Sequence, residues 1–125
     1  MGGRGASYGG FVYSVKYRQS AIIDQRDQNK HIKGTIEYDI AIAKGDNPSI
    51  LTENAQNLLK QGAGKGHMRE NKEIVDYKKN IGKYVDPTTG KYHNTTRGTI
   101  HYDKKGNAHI VPTQPKWMLY NKKAK

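Results

Sequence analysis

The stretch Thr95–Pro112, TTRGTIHYDKKGNAHIVP, decides the fold because it predicts a β-hairpin. Two runs rich in β-branched and aromatic residues flank the turn sequence KKGN, and a proline ends the second run. Side chains alternate across a strand, so Ile100 and Tyr102 are expected in the core. The opposite face is then expected to carry a polar set: Thr95, Arg97, Thr99, His101 and Asp103.

Two interpretations of this polar face are open. A solvent-facing strand is ordinarily polar, and threonine favours strands, so the set can be chemically inert. Alternatively, Arg97, Thr99 and His101 supply the groups that cleave RNA through its own 2′-hydroxyl. Histidine transfers protons near neutral pH, arginine binds phosphate in a bidentate manner, and threonine hydrogen-bonds a phosphoryl oxygen.

The composition indicates one small basic domain. The chain has 125 residues, of which 34% are hydrophobic, so the core is expected to be small. Lys and Arg number 22 against 11 Asp and Glu, and the net charge of +11 favours nucleic acid, an acidic protein or an anionic membrane face as a partner. The lack of cysteine excludes disulfides and thiolate sites. No apolar run is long enough to predict a membrane span.

The sequence predicts three regions. Residues 1–27 are expected to form a flexible glycine-rich tether, Met1–Gly10, followed by an N-terminal arm. Residues 28–115 are expected to form the domain, and residues 116–125 a basic tail. The opening MGGRGASYGG lacks the apolar segment of a signal peptide, so none is expected.

The domain is predicted to be α+β, with N-terminal helices packed on an antiparallel β-sheet. A first helix, Ile36–Ala43, is expected after the cap Thr35, with Ile36, Ile40 and Ala43 as its buried stripe. A second helix is expected after the cap Thr52. Its apolar face and end are assigned to Ala55, Leu58, Leu59 and Gly62. Further strands are expected over Glu73–Tyr77 and Asn80–Val85.

Two proton transfers require a second histidine besides His101. His31 lies between Lys30 and Lys33, whose charges disfavour its protonated form and so favour a base. His109 lies on the return strand, where the hairpin brings it within reach of His101.

The segment GAGKGHMRENKE is predicted to be a mobile basic loop. Its Lys65, His67 and Arg69 are candidate contacts for the RNA backbone, and a surface loop without that role is the alternative. The acidic residues of the chain are scattered, without the carboxylate cluster of Mg²⁺-dependent nucleases. No metal and no other cofactor is therefore expected.

Five segments in order, QNKHIKGT, PSILTENAQNLL, NKEIVDY, IGKYVDPTTGK and the hairpin, resemble the polymorphic toxin type 50 domain. This family is a predicted ribonuclease toxin found at the C-termini of bacterial and phage-associated effector proteins. The resemblance spans about Gln28 to Pro115. It implies a fold like that of barnase, EndoU, RelE and the tRNA-cutting colicins, in which N-terminal helices precede a curved antiparallel sheet that holds the active site.

The resemblance also implies metal-independent RNA cleavage and a set of site residues. The family motifs correspond to Lys30, His31, Arg97, Thr99, His101 and Tyr102, with His109 nearby. Strand alternation instead places Tyr102 on the core side. Departures from the family include a shortened segment before NKE and Asp103 where serine is common, and they bear on substrate contacts more than on catalysis.

The sequence thus predicts an endoribonuclease toxin that leaves 2′,3′-cyclic phosphate ends, acts in the cytoplasm of a target bacterium and arrives through a larger secreted or phage-associated system. Its charge predicts an acidic immunity protein as a partner. A non-catalytic nucleic-acid-binding module is an alternative, because the +11 charge and nine tyrosines suit single strands equally well. A phage structural protein is another alternative.

Overall fold

The computed structural model describes residues 5–8 and 11–123. Within them the helices are α1 Val15–Gln19, α2 Gln25–Asn29, α3 Ile36–Ala43, α4 Ala55–Gly62 and α5 Lys116–Lys123. The strands are β1 Gly5–Tyr8, β2 Phe11–Ser14, β3 Ile22–Ile23, β4 Ile50–Leu51, β5 His67–Arg69, β6 Lys72–Asp76, β7 Gly82–Val85, β8 Tyr92–Thr95, β9 Arg97–Tyr102 and β10 Asn107–Pro112. Of the predicted tether, residues 1–4 and 9–10 lie outside the described residues, and the segment between them forms β1.

The strands form three sheets. A five-stranded sheet has the order β3-β10-β9-β6-β5, a three-stranded sheet has the order β4-β7-β8, and β1 pairs with β2. The predicted α+β class is confirmed. Two features differ from the prediction: β3 runs parallel to β10, so the large sheet is mixed, and α5 follows the last strand rather than preceding the sheet.

One face of the large sheet is buried. Along β9 and β10 every second residue is buried, including Ile100, Tyr102 and Ile110. The predicted apolar face of α4 is confirmed, because Leu58 and Leu59 belong to the same core cluster. The opposite face of the sheet stays partly open, and it carries the polar residues of the hairpin.

The bounds of α3 and its cap are confirmed, but its predicted buried stripe is wrong. The Thr35 hydroxyl accepts the Tyr38 N–H at 3.1 Å, as an N-cap residue does. Ile36 and Ile40 are 74% and 50% exposed, and Tyr38 is the residue that α3 buries. This two-turn helix has apolar residues on more than one side, so its contacts with the rest of the chain decide which side faces inward.

The predicted cap of α4 is also wrong by two residues. The Asn54 side chain accepts the Asn57 N–H at 2.9 Å and caps the helix. Thr52 instead donates its N–H to the Ile81 carbonyl at 2.9 Å, which keeps it in the extended segment after β4.

The predicted mobile loop is an edge strand. His67, Met68 and Arg69 form β5 and pair with β6 through a two-residue turn, in which Glu70 adopts a φ of 57°. Met68 lies directly opposite Glu73, and it packs against the core. This pairing gives the segment the alternation of a half-buried strand, with His67 and Arg69 exposed.

Candidate active site

The open face of the large sheet brings together a row of basic side chains. His101 on β9 lies directly opposite His109 on β10 and Lys72 on β6, and Lys72 lies opposite Arg69 on β5. The His101 and His109 rings stack with centroids 4.8 Å apart and planes within 7° of parallel. The cross-strand placement of His109 that the hairpin predicted is therefore present.

Thr95 does not share this face, contrary to the prediction. It belongs to β8 in the three-stranded sheet, is 2% exposed, and donates its hydroxyl to the Thr113 carbonyl at 2.7 Å. The chain bends at Thr96 and changes sheets, so the alternation that starts at Arg97 does not extend back to Thr95.

A buried glutamine anchors the segment that carries His31. The Gln28 side chain is fully buried; its Nε2 donates to the Ile110 carbonyl at 2.8 Å, and its Oε1 accepts the Ile110 N–H at 2.7 Å. The backbone N–H of His31 in turn donates to the Gln28 carbonyl, and the backbone carbonyl of His31 accepts the Leu51 N–H. These bonds hold His31 above the sheet, where its ring stacks on His109 at 6.5 Å with planes 9° apart.

The contacts of the His31 ring with Ser49 favour one tautomer. Its Nδ1 lies 2.9 Å from the carbonyl oxygen of Ser49. Because a carbonyl can only accept a hydrogen bond, this contact favours a proton on Nδ1; the Ser49 hydroxyl lies 3.2 Å from the same atom, at a longer distance. The neutral ring then presents the lone pair of Nε2, which is the form that a general base requires.

All three stacked histidines are shifted toward the neutral form. Burial is the largest cause in each case, because it disfavours the charged ring. It lowers the pKa of His31, against the opposing effect of the Ser49 hydrogen bond. Burial, with the neighbouring His109, Lys72 and His31, lowers the pKa of His101 to about 4.

The third histidine also has carboxylates around it. Burial lowers the pKa of His109, while Asp27 opposes this effect, with its Oδ2 4.0 Å from the His109 Nδ1. The charge of Lys30, like burial, lowers the pKa of both His109 and His31. Lys30 therefore lies close enough to influence the cluster, as the sequence predicted for His31.

Two clefts meet at His101. One, of about 440 Å³, has His31, Lys72, Thr99 and His101 in its lining, and we call it the histidine cleft. The other, of about 210 Å³, lies on the far side of His101 and is lined in part by His109, Asp27 and Asn71. His31 and His101 thus face one shared space.

Arg97 lies farther along β9. It is on the same face as Thr99 and His101, but four residues from His101, or about 13 Å along the strand. Its Nη1 donates to the Gln114 carbonyl at 2.8 Å. It is not among the residues that line the histidine cleft.

The remaining predicted site residues are spread over other surfaces. Lys33 lies in a separate groove on the other side of the His31 segment. Lys65 and His67 line a groove beside the edge strand β5.

Tyr102 lies in the core, as strand alternation predicted. The family motif, in contrast, made Tyr102 a site residue, and its burial in the core does not support that prediction. It is 1% exposed, and its hydroxyl donates to the Glu73 carboxylate at 2.7 Å. That carboxylate pairs with Arg18 at 2.8 Å and also accepts the Gly64 and Gly66 N–H groups. The network ties β9 to the segment around α1 and lies on the face away from the histidines.

Three residues that build the site are absent from the sequence-predicted set. Lys72 was detectable, because alternation along this strand places it on the face opposite Val75, an apolar core residue. Ser49 and Gln28 carried no local signal, since their partners lie 18 and 82 residues away.

The described residues form neither a metal-binding cluster nor a membrane-spanning helix. In residues 5–8 and 11–123, no group of three or more His, Cys, Asp or Glu side chains is arranged to hold a metal ion. No helix in the same part of the chain combines the length and apolar character that a bilayer crossing requires.

The fold and site define a small basic α+β domain with a histidine-lined cleft on the open face of its sheet. Residues 23–112 match the family model described as bacterial toxin 50, and this match covers most of the chain. The chain belongs to this family of bacterial toxins, which confirms the resemblance found in the sequence. No curated protein and no solved structure gives a significant match.

Proposed function

We propose that this toxin is a metal-independent endoribonuclease that cleaves RNA by attack of the 2′-hydroxyl on the adjacent phosphodiester. The observation that carries the proposal is the shared histidine cleft, in which His31 and His101 face one space together with Thr99 and Lys72. In-line transfer needs a base, an acid and a cation around one phosphate. The histidine cleft is lined by two histidines and by Lys72, which can supply the base, the acid and the cation.

His31 is the general base. Its Nδ1 proton is engaged by the Ser49 carbonyl, so Nε2 is the free position. Its lowered pKa keeps the ring neutral and ready to accept a proton near neutral pH. Its backbone bonds to Gln28 and Leu51 fix the position of the ring, which favours catalysis by orientation.

His101 is the general acid. In the free protein its pKa of about 4 favours the neutral ring. A phosphodiester bound against Lys72 and Thr99 adds a negative charge beside His101 and raises that pKa toward neutrality. Substrate binding thus favours the protonated form of His101, which can then donate a proton. The His109 ring stacks on the His101 ring with centroids 4.8 Å apart.

The reaction balances with these groups alone. His31 Nε2 takes the proton of the 2′-hydroxyl as O2′ forms a bond to phosphorus. The bond from phosphorus to O5′ breaks, and His101 gives its proton to O5′. The products are a 2′,3′-cyclic phosphate and a 5′-hydroxyl.

The remaining basic residues bind the RNA on either side of the scissile phosphate. Arg97, about 13 Å along the strand from His101, contacts a flanking phosphate rather than the reacting one. Arg69 extends the basic row beyond Lys72, and Lys65 and His67 lie near the same sheet edge. Lys30 contributes charge beside His31.

The biological setting follows from the toxin family and the charge. The domain reaches the cytoplasm of a target bacterium as part of a larger secreted or phage-associated system and degrades RNA there. An acidic immunity protein protects the producing cell by covering the cleft, and the net charge of +11 speeds their association.

The test is cleavage of an RNA oligonucleotide by the purified chain in EDTA, with product ends read by mass spectrometry. We expect 2′,3′-cyclic phosphate ends, and a rate about 10²- to 10⁴-fold lower for His31→Ala and for His101→Ala. His93→Ala is the matched control, because His93 lies in β8 against Trp117 and outside the cleft. Salt-sensitive binding without any strand scission would refute the enzyme and support a non-catalytic binding module.

A further inference from the structure

A second groove lies behind the wall that carries His31. It measures about 620 Å³ and runs between α3 and the three-stranded sheet. Its lining includes two tyrosines, two lysines and two isoleucines: Tyr38, Tyr92, Lys33, Lys83, Ile32 and Ile50. None of its lining residues is acidic.

The groove and the histidine cleft share one wall. His31 and Ser49, joined by their hydrogen bond, line the histidine cleft. The residues that follow them, Ile32 and Ile50, line the groove. A single strand bound at His31 can therefore reach the groove by passing over this wall.

The aromatic side of the groove offers a ring to a ligand. Tyr92 is 38% exposed, and its side chain interacts with that of Tyr38, which is buried. This contact restricts the Tyr92 ring, and a restricted, accessible ring stacks on a flat ligand at low entropic cost. Every nucleobase has a π-face that such a ring can cover.

The charges of the groove fit an anion attached to that flat ligand. Lys33 lies near Tyr92, and Lys83 pairs directly with Ile50 across the adjoining strands. Two lysines with no carboxylate in the lining favour a phosphate group. An apolar floor, an anchored ring and two cations together suit a nucleotide.

We propose that this groove is a nucleobase-binding subsite, which holds a nucleotide flanking the scissile phosphate of single-stranded RNA. The base stacks on Tyr92, and Lys33 and Lys83 bind its phosphates. The link to a scissile phosphate rests on the proposed ribonuclease function, whereas binding of the nucleotide does not.

The test is binding of a fully 2′-O-methylated RNA oligonucleotide, which lacks the attacking hydroxyl, to the full chain by fluorescence anisotropy. Tyr92→Ala should weaken binding by at least about 5-fold, since base stacking is worth about 1–3 kcal/mol. Tyr92→Phe keeps the stacking face and loses only the hydroxyl contact with Tyr38, so it should bind more tightly than Tyr92→Ala. Tyr120→Ala removes a more exposed tyrosine on α5, away from the groove, and should have no effect.

The outcomes separate this subsite from the proposed cleavage. If Tyr92→Ala binds like the Tyr120→Ala control while its thermal unfolding is unchanged, the subsite is wrong, whatever the protein cleaves. If Tyr92→Phe is as weak as Tyr92→Ala, stacking is not the source of binding. If the protein binds as expected but cuts no RNA, the cleavage mechanism fails and the subsite stands.

Discussion

His31 and Ser49, 18 residues apart in sequence, are joined by a 2.9 Å hydrogen bond from the His31 Nδ1 to the Ser49 carbonyl. This bond leaves Nε2 as the ring atom available to the cleft. Because Ser49 is buried and His31 is fixed through its own backbone as well, the imidazole has little freedom to rotate. The orientation of one ring atom is thus set by long-range contacts.

Removal of the Gln28 anchor should reduce both stability and activity. Gln28→Ala leaves the buried N–H and carbonyl of Ile110 without partners, at a cost of about 2–4 kcal/mol. It also frees the segment that carries His31, so kcat should fall at temperatures where the variant is still folded. Urea unfolding and single-turnover cleavage check these effects.

Gln25→Ala is the matched control for this anchor, because Gln25 lies on the same helix, is exposed, and donates its side-chain N–H to Asn29 of that helix. It should change the free energy of unfolding by less than about 0.5 kcal/mol. Equal effects of the two substitutions would show that Gln28 does not anchor the helix.

The buried ion pair should be essential for stability. Arg18→Ala leaves the Glu73 carboxylate charged and unpaired in the core, which should cost about 3–5 kcal/mol by urea unfolding. Adding Glu73→Gln to Arg18→Ala should recover part of this loss, because the neutral amide carries no buried charge. The exposed pair of Lys79 and Glu53 is the control, and Lys79→Ala should cost less than about 1 kcal/mol.

The free energy of unfolding should decrease as the pH is lowered, because His101 titrates. Its pKa is about 4 in the folded protein against 6.5 ordinarily, so the unfolded chain binds this proton more tightly. The free energy of unfolding should therefore be highest above pH 6.5 and decrease as the pH falls toward 5. His101→Ala should flatten this decrease, whereas Gln25→Ala, which removes no titratable group, should leave its slope unchanged.

Lys72 should bind the reacting phosphate. Lys72→Ala should lower kcat/KM by about 10- to 100-fold, because a charge-assisted hydrogen bond is lost. It should also reduce the slope of log affinity against log salt by about 0.7, as expected for one contact to a single strand. Lys60→Ala, an exposed lysine on α4, is the control, and an equal loss in both variants would indicate only a general charge effect.

Local sequence signals predicted the elements better than they predicted the site. The hairpin, its alternation from Arg97 onward and the cap of α3 depend on residues close in sequence, and all three are present. The exposure of Ile36 and the change of sheet at Thr96 depend on how distant segments pack, which no local pattern encodes.

The site shows the same division. The approach of His101 to His109 follows from hairpin pairing, so the sequence predicted it. The chemistry predicts that a second imidazole is needed, and the neighbouring Lys30 and Lys33 favour His31 as that base. Its actual position depends on a buried side chain of α2 that reaches across to β10, a contact over 82 residues. Arg97 shares the predicted face but lies too far along the strand to line the cleft.

The central claim is that the 2′-hydroxyl of RNA attacks its own phosphate in the histidine cleft. The most direct measurement uses a DNA oligonucleotide that contains a single ribonucleotide, incubated with the purified chain in EDTA. We predict one cut, on the 3′ side of the ribonucleotide, with a 2′,3′-cyclic phosphate end, and loss of that cut in His31→Ala. Cleavage at deoxynucleotides, or of the same oligonucleotide with a 2′-O-methyl group at that position, would contradict it.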